Sequence, residues 1–149
     1  MQQNFRKMKR VQPILKLRKS KVDEETAMLL AIRAEKQKVV KEMRESQQKY
    51  MKGVEDLNRV RSSQDRANLA TLEAALDAVK VHWYTLFKRV QEVENKEKMQ
   101  VNQLIAAEKG LKSIENLEDK YEKAFQKDMA KAEQKSLDEL AVRRHGQRD

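Results

Sequence analysis

The chain has 149 residues, of which 38% are charged and only 5% aromatic, and its net charge is +9. One proline, three glycines and no cysteine leave few turns and exclude disulfides and thiol chemistry. This mixture argues against an ordinary globule and leaves two alternatives, long helices or disorder.

Periodicity decides for helix. Residues 1–12, "MQQNFRKMKRVQ", read as a basic arm carrying Phe5, Met8 and Val11. They hold no apolar core of the kind a signal peptide needs. A first helix is expected over 13–61, with Pro13 in its opening turn, where a missing N–H costs nothing. Its ladder runs Leu15, Val22, Leu29, Lys36, Met43, Tyr50, Leu57, and six of the seven are apolar or aromatic. A weaker companion ladder holds Ile32, Val39 and Val60, interrupted by Arg18, Glu25, Ser46 and Gly53. The longest apolar run, "AMLLAI" at 27–32, is far short of the roughly 20 residues of a membrane span.

The segment "VRSSQDRAN" carries the capping residues Ser62, Ser63 and Asp65, so a turn is expected at 62–66. A longer second helix follows over 67–142, with a frayed tail at 143–149. Leu69, Leu72, Leu76, Val79, Trp83, Leu86, Val90 and Val93 alternate spacings of three and four without a miss. Glu97 and Gln100 break this seam. It resumes in phase with Leu104, Ala107, Leu111, Ile114, Tyr121 and Phe125 and crosses Gly110 unbroken; Glu118 is its one lapse.

A short connection makes the two helices antiparallel neighbours. The expected fold is therefore all-α, a two-helix antiparallel coiled-coil hairpin in one domain. A turn centred near residue 63 pairs Leu57 with Leu69, Tyr50 with Leu76, Met43 with Trp83 and Leu15 with Leu111. Gly53 then faces the Leu72–Leu76 stretch, where a small residue admits a bulky one. The first helix is used up opposite Ile114, which leaves Tyr121, Phe125, Met129, Leu137 and Leu140 without an intramolecular partner. Exposed apolar stripes of this kind mark interaction surfaces, and they leave room for weak self-association.

Catalytic chemistry has no foothold in the pattern. His82 and His145 stand alone, with no metal-ligand spacing. Gly53, Gly110 and Gly146 lie too far apart for a phosphate loop. A thin coiled coil offers its carboxylates no cleft. No enzyme activity and no cofactor are expected. The runs "FRKMKR" and "LKLRKSK" bring eight Lys/Arg without an acid. They suit an acidic protein surface better than nucleic acid, since no aromatic platform accompanies them. An unrelated coiled-coil scaffold or chaperone, or a basic nucleic-acid-binding hairpin, are the alternative readings.

The ends of the chain add a resemblance. "FRKMKRVQPILKLRKSKVDE" resembles the opening of the flagellar FliJ family, whose type III secretion counterparts include the YscO-like proteins. The carriers are Phe5-Arg6 and Leu15-Lys16-Leu17-Arg18. The closing "KSLDELAVRR" and the central "ATLEAALDAV" are similar to further family segments, although Asn68 stands where the family often has an aromatic. The resemblance implies a stalk like that of rotary ATPases, working in the cytoplasm at the inner-membrane export apparatus. It would bind the hexameric FliI-like export ATPase and promote its assembly, bind the FlhA-like export gate, and help recycle substrate chaperones. By resemblance, Phe5, Arg6, Leu15, Arg18, Lys135, Leu137, Asp138, Glu139, Leu140, Arg143 and Arg144 would meet the ATPase. Met43, Tyr50, Leu72, Ala75 and Val79 would meet the gate. Leu72 and Val79 are also seam positions.

Overall fold

A computed structural model of the chain describes residues 2–63 and 67–148. It consists of α1 (Gln2–Ser62) and α2 (Leu69–Arg148), packed against each other in opposite directions, with no strand among the described residues. Contacts divide it into two compact units, Thr26–Gln103 and Met1–Glu25 with Leu104–Asp149.

In the Thr26–Gln103 unit the core is a single seam. Leu29, Val39, Leu57, Leu86, Val90 and Val93 are buried, Val39 and Val93 almost completely. Their spacing in each helix is the expected alternation of three and four, because only that stripe faces the partner helix. The pairing differs from expectation. Trp83 lies against Tyr50, with ring centroids 5.6 Å apart. Gly53 against Leu76 keeps the expected pairing, so the difference is a few residues and not a whole heptad. A heptad seam remains apolar against apolar after a slip of seven residues, so the repeat alone does not fix the register. The polar residues do. Lys36, the polar member of the first ladder, meets Glu97, the break in the second, at 3.2 Å, and Arg33 adds a contact at 3.5 Å. The two interruptions are thus one ion pair across the seam. Glu35–Arg89 at 3.9 Å lies near it, and Arg61–Glu73 at 2.8 Å joins the helices beside the connection.

Two more polar residues, Ser46 and Gln100, are buried in this seam, and the Ser46 hydroxyl finds no partner among the described residues. Gly53 does face Leu76 as expected. A Cβ on Gly53 would stand 2.7 Å from Leu76 Cδ1, so the helices approach closely here because a side chain is absent.

The connection departs from expectation in its chemistry. The hydroxyls of Ser62 and Ser63 donate to the carbonyls of Asn58 and Val60, at 2.9 and 2.8 Å. They close the end of α1 instead of starting α2. Asn68 takes the capping position of α2, where its carbonyl accepts from Leu72 N–H at 3.0 Å. The expected cap Asp65 lies with Gln64 and Arg66 outside the described residues.

The other unit corrects both ends of the sequence reading. α1 begins at Gln2, so residues expected as a free arm are helical and Pro13 sits inside the helix. Pro13 has no N–H for the Lys9 carbonyl, and Lys9 faces solvent, where water can take that role. The earlier start buries Val11 beside Leu15. It also gives Phe125 and Tyr121 partners that the sequence reading denied them. The Phe5 and Phe125 rings lie 5.6 Å apart, and Lys7 Nζ sits 5.6 Å from the Tyr121 ring centre. Asn4 donates to the Asp128 carboxylate at 2.6 Å. Beyond Asp128 every residue from 129 to 147 is exposed, yet α2 continues through Arg148 instead of fraying at 143. Glu25 is buried in this unit and holds Lys21 at 2.9 Å, a contact that raises the Lys21 pKa.

Truncation should separate seam from surplus. Leu29→Ala, in the buried seam, is expected to cost about 2–5 kcal/mol. Leu137→Ala, at a residue 61% exposed, should stay within about 0.5 kcal/mol. Denaturant unfolding followed by circular dichroism reads both. A pH effect follows from the Asn4 bond, which holds the Asp128 carboxyl below the usual range. A lowered folded pKa stabilises at neutral pH, and that contribution fades as pH falls from about 3.9 through the lowered value. Asn4→Ala should return the Asp128 midpoint toward the ordinary value in a carboxyl NMR titration.

Candidate functional site

Two surfaces could carry function. The first lies in the unit of α1's start and α2's end. Phe5 and Arg6 are exposed, as are Lys135, Leu137, Asp138, Glu139, Leu140, Arg143 and Arg144. Asp138 accepts from Gln134 at 3.2 Å, one turn away. Leu15 is only 8% exposed and belongs to the seam, so it supports the surface without forming it. Arg18 is exposed, with its stem and guanidinium lying over Gly110; a Cβ there would stand 3.2 Å from Arg18 Nη1. From Gly110 to Arg144 the helix rises about 50 Å at 1.5 Å per residue. The expected ATPase-binding residues are therefore a long surface and not one pocket.

The phase of the apolar residues shifts along this surface. Phe125 and Asp128 are half-buried on the seam side, whereas Met129, Leu137 and Leu140 are exposed. At about 100° per residue, Met129 falls about 100° and Leu140 about 120° around the helix from Asp128, and Leu137 about 180°. Met129, Ala132, Glu133, Ser136 and Leu137 line a shallow hollow on that side. A single helix continuing the seam would show its stripe elsewhere. The terminal stripe therefore faces a different direction, with Arg143 and Arg144 beyond it.

The second surface lies in the Thr26–Gln103 unit. Leu72, Ala75, Leu76 and Val79 of α2 and Lys49, Lys52, Gly53, Asp56 and Leu57 of α1 line an open groove of about 330 Å³. The missing Cβ at Gly53 makes the groove: Leu76 fills that gap and leaves Leu72 and Ala75 on the rim. Leu72, a seam position by spacing, is 38% exposed, because the seam loosens near the connection. Three of the five expected gate residues thus meet in one groove. Met43 and Tyr50 do not line it; Tyr50 is engaged with Trp83. The sequence reading missed Lys49, Lys52 and Asp56, which no periodicity distinguishes from other flank residues. It also missed the exposed Val81, Tyr84 and Phe87, beside which Trp83 and Tyr84 stack at 5.5 Å. Their spacing of three residues was the available signal.

Among the described residues no group of three or more His, Cys, Asp or Glu stands together to hold a metal ion. His82 is exposed on the flank of α2, next to Trp83 in sequence, and His145 is exposed near its end. No described helix is long and apolar enough to cross a membrane. Both surfaces offer apolar side chains rimmed by charge, the chemistry of protein docking.

No curated protein and no solved structure matches the chain significantly. A family comparison does match: the family described as "Flagellar FliJ protein" covers residues 8–149. That span takes in the seam of both helices, the groove and the exposed terminal stripe, and the chain belongs to the flagellar FliJ protein family.

Proposed function

We propose that this chain is a non-catalytic stalk of flagellar protein export. Its bare terminal surface docks on a hexameric FliI-like ATPase and promotes assembly and activity of the ring. The observation that carries the reading is the family match over nearly the whole chain; a role in flagellar export follows from that membership. The helical segment from 129 to 147, exposed throughout, supports the docking end. Met129, Leu137 and Leu140 supply apolar contact, and Arg143 and Arg144 supply cations for acidic groups on the ring.

The mechanism is one of symmetry. Two helices on the axis of a six-fold ring cannot meet six subunits alike. Each subunit sees a different part of the stalk, and a change in one is transmitted along the helices. The Leu72–Val79 groove is the surface for an FlhA-like gate, and escort of substrate chaperones is a further duty of the same protein. The chain works in the cytoplasm, at the inner-membrane apparatus.

Pull-down with purified export ATPase, with ATP hydrolysis as the second readout, tests the reading. The full chain should bind and stimulate. Deletion of residues 130–149, or Arg143→Glu with Arg144→Glu, should remove both effects. Binding and stimulation that survive the deletion would sink the docking end. Leu72→Glu should weaken gate binding at least about tenfold, the order of a central contact of 1–2 kcal/mol, and leave ATPase stimulation intact. Steep salt-dependent binding to any DNA, without an effect on the ATPase, would favour the nucleic-acid reading instead.

A further inference from the structure

We propose that the outward face of α1 between Arg6 and Lys21 docks on an anionic lipid surface. This proposal does not depend on the ATPase reading. It begins from the helix start at Gln2, which turns a basic run into a face. Val11 and Leu15 are buried toward α2. The side away from them carries Arg6, Arg10, Pro13, Leu17 and Lys21, with Ile14 and Lys16 at its edges. Ile14 is 44% exposed and Leu17 70%. These two lie three residues apart and therefore side by side. No acidic residue precedes Asp23 to neutralise the eight cations. Lys21 holds an ion pair with Glu25.

The composition chooses lipid over protein. A protein partner would normally engage an aromatic anchor seated in a pocket. Here the face is convex, and no aromatic residue stands between Arg6 and Lys21. Aliphatic side chains set among Lys and Arg, without acids, are the pattern of a helix lying in a bilayer interface. Ile14 and Leu17 would sink between headgroups while the cations reach outward along their stems to lipid phosphates.

Flotation of the full chain with vesicles at about 0.15 M salt tests this. Binding is expected to phosphatidylcholine vesicles containing phosphatidylglycerol and not to pure phosphatidylcholine. Ile14→Gln with Leu17→Gln changes no charge and should weaken binding roughly tenfold or more, from the apolar area lost. Leu30→Gln, at another aliphatic residue 62% exposed, should bind like the parent, and circular dichroism should show all variants equally helical. Equal binding to both vesicle types would overturn the proposal. So would full binding by the double variant, or a Leu30→Gln loss of the same size, because adsorption would then be a general property of a basic chain. A double variant that binds vesicles normally but fails to stimulate the ATPase would assign the face to a protein partner. Loss of vesicle binding with stimulation intact separates this surface from the terminal docking end.

Discussion

Each helix of this protein can bury its apolar stripe only against the other. Among the described residues there is no third element, so the seam is both the core and the instruction for assembly. A heptad seam has a weakness, since sliding one helix by seven residues leaves apolar side chains opposite apolar side chains. The Lys36–Glu97 pair removes this ambiguity. Slipped by a heptad, each charge would face the apolar stripe of its neighbour, and an unpaired half-buried charge is costly. The pair itself adds little stability, about 1 kcal/mol or less for partly exposed ions. Its value lies in the alternative it penalises. Tyr50 against Trp83 and Gly53 against Leu76 lie in the same register as this pair.

Much of the seam was legible in the sequence for a physical reason. Burial on one side of a helix imposes a spacing, and Leu86, Val90 and Val93 show it directly. The repeat alone is blind to shifts by its own length; Gly53 against Leu76 followed from the short connection, but the ion pair across the seam was not legible. The evidence was present in Lys36 and Glu97, which looked like two defects until the fold placed them together. The start of α1 was misread at Pro13, a residue that suits a first turn but is tolerated inside a helix on a solvent-facing side. Met8 and Val11 carried the contrary signal, at spacings of three and four leading into Leu15.

The candidate surfaces were legible unevenly. Leu72, Ala75 and Val79 share a groove because they recur at three and four residues, which periodicity can show. Met43 and Tyr50 do not line that groove, and Tyr50 packs on Trp83 instead. The terminal segment was recognised as surplus, but its beginning was set too early. Asn4 and Phe5 reach Asp128 and Phe125 only because α1 starts at Gln2.

The helical segment after Asp128 has one further consequence. An isolated helix of about 20 residues is marginal in water, and most helical stability comes from packing. This segment has no packing and relies on good helix formers such as Ala, Lys, Glu and Leu. Its amides should therefore open by local fraying and exchange with solvent far faster than those around Val93. A partner that seizes it would also quench the helix–coil equilibrium of its last turns. Part of the recognition energy would go into ordering backbone, which favours tight geometric discrimination over raw affinity.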